Sequence, residues 1–167
     1  MRSLSIFALA LSLGLATACE DAGQSCELAQ QYETVLEIGS GERDLELIDD
    51  LDRVPVSTGP QGGAHIWIGI QTSGIAPGRR GALGRPAESG PDVSFDLLDN
   101  SGARIGDGGV SETPLDGDEN LADLVGAELY IDAWNDGDSD ELYTLRASLL
   151  DRCGTELITE RHVYLDW

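Results

Sequence analysis

The chain has 167 residues, with 31 acidic side chains against ten arginines and no lysine, a net charge of −21. A field of that sign repels nucleic acid and anionic membrane, so neither is expected as a partner. The length suits one domain with a sizeable core, and the sequence shows no internal repeat.

Met1, Arg2 and Ser3 open the chain with one positive charge, and residues 4–15 form an uncharged apolar run. The run is too short to cross a bilayer as a helix, which takes about 20 residues. A charged start, a short apolar stretch and small residues at its end describe a signal peptide. The small residues are Ala16, Thr17 and Ala18, and Cys19 follows. That ending resembles the lipobox of bacterial lipoproteins, with Ala16 where Leu is commonest. The resemblance implies cleavage before Cys19, a diacylglyceryl group on its thiol and often an acylated amine. Acyl chains at about 0.8 kcal/mol per buried methylene hold a protein durably on a membrane. An ordinary signal peptide cut after Ala18 fits the same residues and stays open. Glu20, rather than Asp, after the cysteine leans toward the outer membrane of a Gram-negative cell. The expected division is a lipoprotein signal peptide over residues 1–18, a polar tether over 19–31 and a β domain over 32–167.

Cysteine usage points to the same compartment. Three cysteines leave one thiol over, and lipidation of Cys19 removes it from the count. Cys26 and Cys153 then remain, and in an oxidising compartment they are predicted to form a disulfide. The alternative is a zinc or catalytic pair, against which stands the lack of a CxxC motif or a nearby histidine cluster. Without Arg2, nine arginines face 31 acidic residues, a net charge of −22. Solubility in a salty habitat is the plain reading of that charge, and cation binding the functional one.

From residue 32 onward the pattern is strands. Short ones are predicted over residues 34–38 and 45–47. Residues 64–71 alternate cleanly: Ile66, Ile68 and Ile70 share one face, with His65 and Trp67 on the other. Residues 93–97 alternate in the same way. Leu129, Ile131 and Ala133 point one way, Glu128, Tyr130, Asp132 and Trp134 the other. Leu142–Leu150 and residues 157–167 supply the last two strands, with Val163 and Leu165 opposite His162 and Tyr164. Turns rich in Gly, Pro and Asp are expected at residues 59–63, 74–91, 99–102, 106–109 and 135–140, and a helical turn at 120–125. The fold class is therefore all-β, an immunoglobulin-like antiparallel β-sandwich of about 6–8 strands.

Three constellations bear on function. The first is the segment Gly59-Pro60-Gln61-Gly62-Gly63-Ala64-His65-Ile66-Trp67. It resembles a Gly-Pro-Gln-Gly-Gly-x-His-x-Trp stretch in uncharacterised lipoproteins of myxobacteria and related Gram-negative bacteria. Residues 36–42 and 54–56 are similar too, so the resemblance covers residues 34–75. It implies an exported β-rich domain and no known activity. Gly62 and Gly63 permit positive φ ahead of a strand. The segment is either a hydrogen-bonded turn or a binding surface built from Gln61, His65 and Trp67. The second constellation is the acidic turn with Asp136, Asp138 and Asp140, whose spacing resembles the start of an EF-hand loop. Calcium is its candidate ligand, although no Glu stands at the closing position, Ala147. A solvated Asp/Gly hairpin turn explains the same residues. The third is Arg79, Arg80 and Arg85, either a loop that balances an acidic body or a docking loop for an anionic partner.

Catalysis has little support. Only His65 and His162 are present, and no GxSxG, HExxH, Walker A or GxGxxG pattern occurs. Zinc held by both histidines and a carboxylate would need their strands to be neighbours. The expected function is a non-enzymatic interaction or structural domain in the cell envelope. Its partners would be the membrane, through the lipid, and an envelope protein. No cofactor is expected unless the acidic turn takes calcium.

Overall fold

The computed structural model describes residues 20–59, 62–81, 87–132 and 141–167, with side chains from Ser25 onward. Among the described residues, one helix, α1 (Glu20–Ala29), precedes eleven strands. Seven of these are long: β1 (Val35–Ser40), β5 (Ala64–Ser73), β6 (Asp92–Leu98), β7 (Arg104–Val110), β9 (Ala122–Ile131), β10 (Leu142–Leu150) and β11 (Glu156–Asp166). The other four have two or three residues: β2 (Glu46–Leu47), β3 (Arg53–Pro55), β4 (Ser57–Thr58) and β8 (Asp116–Gly117). The class is all-β, as expected.

The arrangement differs from the two-sheet immunoglobulin-like sandwich. Hydrogen bonding runs through one continuous sheet in the order β2-β1-β5-β9-β7-β6-β10-β11-β3, with β4 beside β5 and β8 beside β9. The sheet curls into a half-barrel, and β3 runs parallel to β11 while the other pairs are antiparallel. A sandwich would have a gap where β7 meets β9. Here three rungs bridge it: Gly106 with Ile131, Asp107 with Tyr130 and Gly108 with Leu129. Glycine makes the bridge possible. A Cβ on Gly106 would run into the Tyr130 carbonyl oxygen, and one on Gly108 into that of Glu128. Residues 106–109, expected as a turn, therefore lie within β7. Their glycines serve close backbone approach rather than chain reversal.

The inner face of the curl is the core. Ile38, Ile66, Ile68, Ile70, Phe95, Leu97, Leu129, Leu145 and Leu149 are all but fully buried there, joined by Val163 and Leu165. The alternation predicted for residues 64–71, 93–97 and Leu142–Leu150 places Ile66, Ile68, Ile70, Phe95, Leu97, Leu145 and Leu149 inward. Residues 120–125, expected as a helical turn, instead enter β9, because Ala122 and Leu124 pair with Thr72 and Ile70 of β5. Beyond Leu124 the register with β5 shifts, which bends the sheet at that point.

Residues 20–29, expected as part of a polar tether, form α1. The last turn tightens, with Gln31 N–H donating to Leu28 O and Tyr32 N–H to Ala29 O. Ten residues make only a marginal helix alone. The body holds this one in place through the Cys26–Cys153 disulfide, burial of Ala29 and a 2.8 Å hydrogen bond from Ser25 Oγ to the Glu119 carboxylate. Cys153 sits in the turn between β10 and β11. There the buried Asp151 carboxylate accepts hydrogen bonds from the amides of Ala76, Cys153 and Thr155 at 2.8–2.9 Å.

Two substitutions test these contacts. Gly108→Ala should lower unfolding stability by about 1–3 kcal/mol in a urea titration, the usual cost of overpacking. Cys153→Ser opens a covalent loop with a sequence separation of 127. It should cost as much as about 5 kcal/mol on the loop-entropy model.

Candidate functional site

His65 and Trp67 project from β5 on the face opposite the buried Ile66 and Ile68, as their alternation predicts. The turn before them closes with Gly59 N–H donating to Gly63 O and Gly62 N–H to Gly59 O, and Gly62 has φ +84°. Gln61 lies outside the described residues. So do Cys19, Arg85 and the three aspartates of the acidic turn, Asp136, Asp138 and Asp140.

The curl of the sheet assembles neighbours around the two ring residues. Register places Tyr130 opposite His65 and Glu128 opposite Trp67. β4 sets Ser57 on the other side of His65. The His65 and Trp67 rings stand edge to face with centroids 5.1 Å apart, and the Tyr130 ring lies 6.2 Å from His65. His65 Nε2 is buried, and among the described residues nothing hydrogen-bonds to it. Tyr130 is 54% exposed and donates its hydroxyl proton to the Glu128 carboxylate. That hydrogen bond raises the phenol pKa above its ordinary value. Loss of hydration and the negative charge of Glu128 act in the same direction. The polar rung continues around the outer face through Asp107, Asp96, Arg146 and Glu160, ending in a 2.7 Å ion pair between the last two.

Trp67 also forms one wall of a cleft of about 460 Å³ between the loop after β1 and the β3–β4 segment. Ser40, Arg43, Asp44, Arg53 and Ser57 contribute to its other walls. The volume falls in the range of small-ligand sites. Guanidinium, carboxylate and hydroxyl groups beside an indole give donors, acceptors and a flat apolar surface within one cleft. Neither arginine was singled out by the sequence. They stand ten positions apart, and the fold brings them together: β3 reaches the cleft by pairing with the end of β11, where the Arg53 guanidinium lies 5.4 Å from the Tyr164 ring centre.

The remaining sequence candidates are placed elsewhere. His162 is exposed on β11 and faces Asp50, with Nδ1 3.6 Å from Oδ1. The Asp50 carboxyl pKa is lowered, chiefly by the His162 backbone N–H that it accepts. β5 and β11 are not hydrogen-bonded neighbours, so His65 and His162 belong to separate surroundings. Among the described residues no group of three His, Cys, Asp or Glu side chains is set to hold a metal ion. Arg79 and Arg152 converge on the Glu88 carboxylate, and Arg80 pairs with Asp116 at 3.3 Å. Arg79 and Arg80 of the expected docking loop thus engage acids of the same chain.

No family model matches the chain, and no curated protein shows significant similarity to it.

Tyr130 offers a direct test of the outer-face geometry. Its phenol should titrate above the ordinary range when followed by ultraviolet absorbance. Glu128→Gln removes the charged acceptor and should return that titration toward the ordinary value.

Proposed function

We propose that the chain is a cell-envelope lipoprotein, anchored through Cys19, with a β domain that serves as a non-enzymatic interaction module. The observation that carries this reading is the use of the cysteines. Cys26 and Cys153 pair with each other, which leaves Cys19 as the odd thiol directly after Ala16-Thr17-Ala18. A disulfide of that kind belongs to an oxidising compartment, in keeping with export. Glu20 after the anchor cysteine favours the outer membrane of a Gram-negative cell as the destination.

The contact surface in this reading is the outer face at His65, Trp67 and Tyr130 together with the adjoining arginine-lined cleft. Aromatic and arginine side chains are the residue types that dominate protein interfaces. An envelope protein is the fitting partner, because the acidic body disfavours nucleic acid and anionic surfaces.

Fractionation of cells tests the anchor. The unaltered chain should incorporate labelled palmitate and sediment with membranes. Cys19→Ser should lose the label and move to the soluble fraction. A Cys19→Ser protein that still sediments with membranes would refute the anchor.

A further inference from the structure

We infer that the end of the half-barrel carrying α1 is a membrane-docking face, which seats the domain directly on a bilayer of neutral headgroups. The inference deepens the lipoprotein reading and rests on it.

Strand direction defines two ends. β5 finishes, β9 begins and β10 turns into β11 at the same end, where α1 is held. A lipid on Cys19 would stand directly before Glu20, the start of α1, which lies six residues and about 9 Å of helix from Cys26. The disulfide, the Ser25–Glu119 hydrogen bond and the buried Ala29 leave no slack between helix and body. Acyl chains on Cys19 would therefore enter the bilayer beside this end of the domain.

The same end exposes apolar side chains. Leu28, Tyr32, Val35 and Leu121 are 38–48% exposed. All four come from segments tied to one turn, Ser73–Gly74. Val35 pairs with Ser73, and the Ser73 hydroxyl donates to Glu33 O, next to Tyr32. Gly74 N–H donates to Glu119 O, two residues before Leu121, and the Glu119 carboxylate takes the Ser25 hydroxyl, three residues before Leu28. Grouped apolar exposure of this kind marks an interaction surface. The place where the chain would meet its lipid selects the bilayer as the occupant. Glu27, Glu33, Asp118 and Glu119 lie among these residues, so an anionic leaflet would be repelled and a neutral one accepted. His65 lies eight residues along β5 from Ser73, about 26 Å at the rise of an extended strand. The aromatic face is thereby held away from the membrane.

The test uses the full lipidated chain in phosphatidylcholine vesicles that contain spin-labelled lipid. A fluorescent amino acid replaces Tyr32 in one preparation and Tyr130 in another. Quenching at position 32 should exceed that at 130 at least threefold. It should weaken when phosphatidylglycerol is added, and again in the Leu28→Ser, Leu121→Ser variant, whose changes fall at exposed positions. Equal quenching at 32 and 130 in protein that carries palmitate and floats with the vesicles overturns the docking face and leaves the anchor standing. Protein that neither carries palmitate nor floats overturns the anchor and the docking face together.

Discussion

In this protein the sheet buries its apolar face by turning back over it, and the turn depends on backbone lying against backbone where β7 crosses to β9. Gly106 and Gly108 occupy that crossing, where any side chain would meet a β9 carbonyl. Three rungs of pairing then join β1, β5 and β9 on one side to β6, β10 and β11 on the other. Once joined, Ile66 and Ile68 from one side and Phe95 and Leu145 from the other point into the same interior. The outward side chains of every strand form the complementary surface, and the His65, Trp67 and Tyr130 group belongs to it.

A second constraint acts at one end of the curl. The Asp151 carboxylate gathers the amides of two separate loops, and the disulfide adds α1 to the same corner. Charge is consumed locally as well, since Glu88 holds both Arg79 and Arg152. The corner is covalently closed, and its two arginines are held by one acid. The opposite half of β5 carries the aromatic group and its cleft. The two ends thus have different chemistry: apolar and acidic exposure beside the helix, and rings with guanidinium groups toward the other end.

Much of this was legible along the chain. Period-2 alternation located β5, β10 and β11 and assigned His65 and Trp67 to the outer face, because one-sided burial writes itself into alternate positions. The cysteine count led to Cys26 and Cys153. Three features escaped for physical reasons. β7 was hidden because its glycines, needed for close approach, look like turn residues. α1 was hidden because its ten residues are largely polar and depend on a distant cysteine and on Glu119. The pairing of Tyr130 with His65 was hidden because register between strands far apart in sequence is a tertiary property.

The sequence by itself determined that the chain is acidic and β-rich, which residues face inward along its best strands, and which two cysteines are available to each other. Those properties follow from composition and from short-range periodicity, where each residue's role depends on its neighbours in the chain. Only the tertiary structure decided that the strands form one curled sheet, that residues near the start of the chain are clamped beside the β10–β11 turn, and that Arg43 and Arg53 share a cleft with Trp67. Each of these depends on contacts between segments tens of residues apart, whose geometry follows from how the whole apolar face is closed over rather than from any local pattern.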